Sequence, residues 1–242
     1  MPVAWIVAGV GLLMLLVERR RPAFRQPRVP RFFLRAAAAS ALQAASVQLL
    51  APIWEGWLAR SRPWSADSLG PWGGALVGYL AITFVYYFWH RARHELPWLW
   101  RVFHQLHHSP ERLEVVTSFY KHPLEICANG LLSSAVLLAG VGLSQQAATI
   151  AVLFTGLAEL FYHWNVRTPR WLGYLIQRPE SHRLHHERGR HCRNYSDLPL
   201  WDMLFGTFEN ARGELVACGF GARGEDCLAD MLLCRDLGTE AR

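Results

Sequence analysis

Residues 89 to 108 read W-H-R-A-R-H-E-L-P-W-L-W-R-V-F-H-Q-L-H-H and hold five of the eleven histidines in the chain. On a helix, His90 and His94 stand one turn apart on one face, and so do His104 with His107 and His108. A second stretch, S-H-R-L-H-H at Ser181 to His186, repeats the H-x-x-H-H spacing with His182, His185 and His186. Imidazole is a common metal donor, so three short histidine-presenting elements point to a metal centre. These eight histidines, with His122, His163 and His191 besides, exceed what one ion coordinates, and two ions are the natural count. A lone H-x-x-x-H is more often a surface pattern than a ligand pair, but chance is a poor account of three clusters together. His191, standing alone, is left open between a ligand and a hydrogen-bonding residue.

The composition is that of a membrane protein. Hydrophobic residues make up 52% and charged residues 18%, against about 25% charged in a soluble chain. The net charge of +6 sits largely in arginines beside apolar runs, where positive-inside topology and anionic headgroups explain it. No nucleic-acid motif accompanies that charge, which excludes a nucleic-acid partner. The five cysteines show no C-x-x-C pair and are odd in number, so free thiols are expected rather than a disulfide framework.

Val3 to Val17 is apolar and ends at Glu18 and three arginines, which predicts a retained anchor helix. Seven arginines between Arg19 and Arg35 place that loop in the cytoplasm. Ala36 to Leu58 is a second apolar span, Ser61 to Gly70 a turn, and Pro71 to Trp89 a third span that delivers His90 at its cytoplasmic end. Ile126 to Trp164 is too long for one crossing and is broken near Gly140, Gly142 and Ser144, so a helical hairpin is expected, returning His163 to the same side. No later segment is long or apolar enough to span, and residues 211–242 are expected to be peripheral. The expected fold is all-α: an integral membrane bundle of about four to five membrane-embedded helices under a cytosolic histidine-rich cap. The expected domains are an anchor at 1–70, a catalytic domain at 71–210 and a tail at 211–242.

Imidazole suits iron and zinc alike, and the affinity order lets zinc replace ferrous iron in a purified sample. Zinc has no redox chemistry, and an apolar lipid offers few bonds to hydrolyse. The H-E-x-x-H signature of a zinc hydrolase is absent. A histidine-rich zinc protein, hydrolytic or non-catalytic, remains the alternative. Haem fits less well, because clustered triplets would be redundant for two axial ligands.

The stretch H-R-A-R-H-E-L-P-W-L-W-R-V-F-H-Q-L-H-H-S resembles the core signature of the fatty acid hydroxylase and sterol desaturase superfamily. The resemblance continues through T-S-F-Y-K-H-P-L-E (Thr117 to Glu125), F-Y-H-W-N-V (Phe161 to Val166), H-R-L-H-H and N-Y-S-D-L-P-L-W-D-M-L-F-G-T-F (Asn194 to Phe208), so it covers about Tyr79 to Phe208 in unbroken order. It implies an integral membrane di-iron oxygenase, an oxidoreductase that hydroxylates or desaturates a lipid C–H bond with dioxygen. The ligands it implies are His90 and His94, then His104, His107 and His108, then His182, His185 and His186, with His122 and His163 completing the shell. Asn165, Asn194 and Asp202 fall in matching motifs, where supporting or structural roles stand open beside catalytic ones. No flavin, haem or iron–sulfur motif is present, so an external electron donor is expected, a ferredoxin, cytochrome or reductase. Near-total use of arginine, with Lys121 the only lysine, points to a bacterial inner membrane.

Overall fold

Apolar sequence in lipid must satisfy its own backbone, and here it does so almost entirely as helix. The computed structural model describes residues 2–221, 224 and 226–237; among these there is no strand, only one isolated bridge between Glu187 and Cys218. The helices are α1 (Pro2–Arg20), α2 (Phe32–Arg60), α3 (Gly70–Glu95), α4 (Pro97–Phe103), α5 (Gln105–His108), α6 (Pro123–Ser134), α7 (Gln145–His163), α8 (Pro179–His185), α9 (Pro199–Phe205) and α10 (Leu228–Leu232). A π-helical turn, Ala135–Gly140, prolongs α6. Among the described residues three stretches are long and apolar enough to cross a membrane: α2, α3 with the turn before it, and α6 with its π turn. Their outer faces carry bare apolar side chains, with Leu49 and Ile53 of α2 more than 70% exposed. Such a surface needs lipid around it, and the chain is an integral membrane protein.

Two ends of the bundle are defined by how the helices are tied. At one end Trp64 donates to the Val141 carbonyl (3.2 Å) and Ala66 N–H to the Gly142 carbonyl (2.9 Å). Gly142 has φ +76°, and a Cβ there would lie 2.6 Å from the Trp64 carbonyl oxygen, so only glycine closes this turn. The turn at 141–144 is the break of the expected hairpin, with α6 entering it and α7 leaving. On α3, Gly78 lets Leu143 and Ala151 close in, since a Cβ would stand 2.6 Å from Leu143 Cδ1.

At the other end the helix termini converge on loops rich in polar residues. Glu18, at the end of α1, accepts from the backbone N–H of Val115 and of Asn165 (3.0 Å). The Asn165 side chain in turn holds both backbone groups of Phe24, at 3.0 and 2.8 Å. The arginine-rich loop between α1 and α2 therefore shares one end of the molecule with the C-terminal end of α3 and of α7, where the histidines lie.

The region after Ala211 is not peripheral. Met231 of α10 is buried with Ala36, Leu106 and Tyr120, the Gln105 side chain donates to the Arg235 carbonyl (3.1 Å), and Gly219 is wedged against Pro110. Apolar residues spaced through this stretch fill the gap between α2 and α5, which a reading by span length overlooks. The part of the tail at 222–223, 225 and 238–242 lies outside the described residues. All five cysteines are free.

Candidate metal centre

The W-H-R-A-R-H segment closes α3, so His90 and His94 leave its last two turns pointing into the space under α8. The next box is not one continuous helix. α4 stops at Phe103, His104 adopts φ −143°, and a new turn, α5, carries His107 and His108. α8, begun by Pro179 at its first turn, carries His182 and His185, with His186 as its last cap residue. His163 ends α7.

Nine imidazoles gather into two groups. One holds His90, His94, His104, His108 and His185; the other holds His107, His163, His182 and His186; within each group the ligand atoms lie within 4.8 Å of one another. In the first, Nε2 of His104 stands 2.9 Å from Nε2 of His90 and 3.2 Å from that of His108. In the second, Nε2 of His163 is 3.3 Å from His107 and 3.2 Å from His182, and His182 is 3.1 Å from His186. The groups adjoin: the rings of His108 and His186, one from each, stack with centroids 4.1 Å apart and 16° between planes.

These residues fit metal ions. Two nitrogens bound to one ion at about 2.1 Å stand roughly 3.0–3.4 Å apart, the spacing seen here. The outward nitrogen of several rings is engaged by an acceptor: His90 Nδ1 donates to the Tyr195 carbonyl (2.6 Å), His185 Nδ1 to the Arg193 carbonyl (2.8 Å), His163 Nδ1 to the Glu159 carbonyl (2.8 Å) and His104 Nδ1 to Glu125 Oε1 (3.0 Å). Each such bond fixes the tautomer, so the inward Nε2 is a bare lone pair. His90 and His104 thus face each other lone pair to lone pair, an arrangement that a shared cation reconciles. Both ring nitrogens of His94, and Nε2 of His185, are buried without a partner in the protein. Burial pushes the His185 imidazole down to about 3, and it drives His104, His107, His108, His182 and His186 well below the usual histidine value. Proton sharing is disfavoured, and neutral imidazole is the form that binds metal.

His122, expected in this shell, is elsewhere. Its Nδ1 accepts from Leu124 N–H (3.1 Å) as the N-cap of α6, and its Nε2 faces the Leu232 carbonyl (3.2 Å). His191 belongs to neither group, although its ring packs 4.7 Å from that of His108 and its Nε2 is buried without a partner. It lines, with His94, Trp100 and Tyr195, a cavity of about 360 Å³ that borders the first group.

Beyond the histidines, three side chains support the site, of which Glu125 alone carried no role from the sequence. Glu125 is fully buried and bridges His104 to the guanidinium of Arg93. Its one signal was a carboxylate at the head of an apolar helix, directly after His-Pro-Leu. Asp202 accepts from the N–H groups of Tyr195 (2.8 Å) and Ser196 (2.9 Å) and from Thr207 Oγ1 (2.7 Å). Asp202 thereby holds the loop whose Tyr195 carbonyl orients His90, and burial pushes its carboxyl up to about 6. Asn194, at φ +55°, latches the same loop onto the Ser181 and Glu209 carbonyls, at 3.0 and 2.9 Å.

A helical membrane protein that gathers nine imidazoles in two adjoining groups at one end of its bundle belongs to the class of membrane proteins built round histidine clusters, whose donor set fits metal ions. The chain is a member of the fatty acid hydroxylase family, whose model matches residues 75–207 and so takes in both groups. It is similar to alkylglycerol monooxygenase of Homo sapiens, 33% identical over 171 residues, 69% of this chain and 36% of that protein. Fatty acid hydroxylase vlmA of Lecanicillium sp is 33% identical over 159 residues, 56% of this chain and 43% of the relative. Very-long-chain aldehyde decarbonylase GL1-5 of Oryza sativa subsp. indica is 29% identical over 183 residues, 69% of this chain and 29% of the relative. The chain thus spans less than half the length of these relatives. No solved structure matches it.

Proposed function

We propose that this chain is a membrane-bound di-iron oxygenase that hydroxylates or desaturates a C–H bond of a lipid. The observation that carries the reading is the pair of adjoining imidazole groups with Nε2 lone pairs facing inward. Iron held there would supply dioxygen activation, which no side chain provides. The protein's part is to hold and orient. Five imidazoles in one group and four in the other leave positions of a six-coordinate shell open at both. The carbonyls of Tyr195, Arg193 and Glu159 and the Glu125 carboxylate keep the rings from turning.

The relatives' names speak of an alkylglycerol, a fatty acid and a long-chain aldehyde, and what these share is a long hydrocarbon chain. A lipid substrate reaches the centre most directly along α3, whose Phe84 and Tyr87 pack against Trp201 and Phe205 of α9 with ring centroids 5.0 Å apart. The arginine-rich loop lies at the histidine end, so positive-inside bias makes that end cytoplasmic, within reach of a separate electron donor.

The test is reconstitution in nanodiscs with ferrous iron and a reducing partner. Two irons per chain, dioxygen uptake that depends on lipid, and an oxidised lipid in mass spectra of cells carrying the gene, absent from cells without it, are the expected results. An iron-replete, reduced preparation that oxidises no lipid overturns the reading.

A further inference from the structure

A second polar cavity, of about 220 Å³, lies just past the C-terminal ends of α1 and α7, between Phe24, the segment 167–170 and the loop at 211–213. Its walls present four arginines, Arg167, Arg170, Arg178 and Arg212, against one carboxylate, Glu180. That carboxylate is already engaged, by Arg178 (3.1 Å) and by the N–H and hydroxyl of Thr168 (both 2.7 Å). Arg178 is itself buried and locked by Thr168, by Asn210 Oδ1 (2.7 Å) and by the Ala211 carbonyl (3.1 Å). Asn210 in turn donates to the Arg170 carbonyl (3.0 Å), so the backbone that carries Arg170 is held against the wall. Arg167 and Arg170 are exposed and have no carboxylate partner among the described residues.

Directly beside this basic cavity the segment 170–175 bares Trp171 (63% exposed), Tyr174 (52%) and Leu175 (61%). Tyr174 packs on Phe208, and Leu200 and Leu204 of α9 are likewise uncovered. An aromatic and aliphatic surface next to unpaired arginines, at the level where two helices of the bundle end, has the layout of a lipid–water interface. Guanidinium is the side chain best suited to phosphate oxygens, two at a time.

We propose that this cavity binds the phosphate of a membrane phospholipid headgroup between Arg167, Arg170 and Arg212, with Trp171 and Tyr174 against the lipid's glycerol and upper acyl region. The site is built on the membrane fold and not on the metal centre, so it stands or falls apart from the oxygenase reading. The bound lipid would anchor the loop from which α8 starts, four residues before His182.

The experiment is native mass spectrometry of the full chain released from nanodiscs of phosphatidylglycerol and phosphatidylcholine, counting retained phospholipid. Wild type retains a phospholipid, and Arg167→Gln/Arg170→Gln retains it about thirtyfold more weakly, two cations being removed from the anion. The control Arg20→Gln/Arg21→Gln removes the same charge from the same end, from residues that do not line the cavity, and retains phospholipid like wild type. Arg167→Lys/Arg170→Lys keeps the charge and checks the fold, retaining more than the glutamine pair. Three results overturn the proposal: no phospholipid on wild type, equal loss in the two glutamine pairs, or inorganic phosphate in detergent protecting wild type from heat as well as phospholipid does, which would make this a site for soluble phosphate.

Discussion

The two imidazole groups are built from the same motif used in opposite ways. In the box at 104–108 the first and last histidines, His104 and His108, join the five-membered group, and the middle one, His107, crosses to the other. In the box at 182–186 the first and last, His182 and His186, join the four-membered group, and His185 crosses back. Each H-x-x-H-H thus gives two donors to one group and one to its neighbour, because on one broad helix face i+4 falls about 40° to one side of residue i and i+3 about 60° to the other, so the two rings aim to either side. The groups differ in their surroundings too. The five-membered group takes two members from α3 that are only partly buried, and it borders the 360 Å³ cavity. The four-membered group is buried throughout and has Tyr162 against His182, ring centroids 4.3 Å apart. One site has an entrance and the other is walled in, while the crossed histidines couple them.

The largest effects should come from breaking that crossing. His104→Ala and His185→Ala act on the same group although they lie in different boxes, so the double variant should lose about one iron per chain, as either single does. His104→Ala/His107→Ala, confined to one box, should strip both. Iron content per chain by mass spectrometry decides it; if the pattern reverses, with the His104/His185 double stripping both irons and the His104/His107 double only one, each box serves a single ion and the assignment of donors is wrong. Lipid oxidation should vanish in all of these variants.

Glu125 sharpens the same contrast, because it supports only the five-membered group. Glu125→Gln keeps the shape and removes the charge behind His104, and should weaken iron at that group by about 10–100-fold while leaving the other group filled. Glu125→Ala also strands Arg93, whose side chain is 4% exposed, and should destabilise the fold by about 3–5 kcal/mol. Metal titration separates the first effect, and thermal unfolding in detergent the second.

How much of this the sequence disclosed follows from the range of each interaction. Histidine spacing is a local property, and nine of the ten expected ligands lie in the two groups. Which histidine serves which site is not local: it depends on the kink at His104 and on how α8 comes to rest across α3 and α5. The supporting acceptors were mostly invisible, since three of them are backbone carbonyls and carry no residue signature. The hairpin break was legible from Gly140, Gly142 and Ser144. The packing of α10 was not, because the helix is short and its buried Met231 finds partners on α2 and α5 far away in the chain.

Acid should expose the burial of the histidines in metal-free protein. His185 falls from an ordinary 6.5 to about 3 in the fold, so the unfolded chain takes up its proton first. Stability is then complete above about pH 6.5 and drains away as pH drops toward 3, by an amount on the order of a few kcal/mol. Chelator-treated protein should melt at progressively lower temperature across that window. Iron-loaded protein should hold its melting temperature further into acid, until protons displace the metal. A metal-free protein whose melting is flat from pH 7 to pH 4 would mean that these rings are hydrated and are not packed as described.

The smallest effect is expected at His122, and it separates the two readings of that residue. As a ligand, its loss would cost iron. As the N-cap of α6, its loss removes one acceptor from the Leu124 N–H and should cost about 1 kcal/mol of stability with both irons retained. His122→Asn supplies another capping side chain, though not an imidazole, and should restore most of that stability. A ligand role predicts the reverse for this variant, with iron lost whether or not the helix is capped. His122 precedes a proline, the residue favoured at the first helical position, and by that rule its place outside both groups follows from its neighbour in the chain.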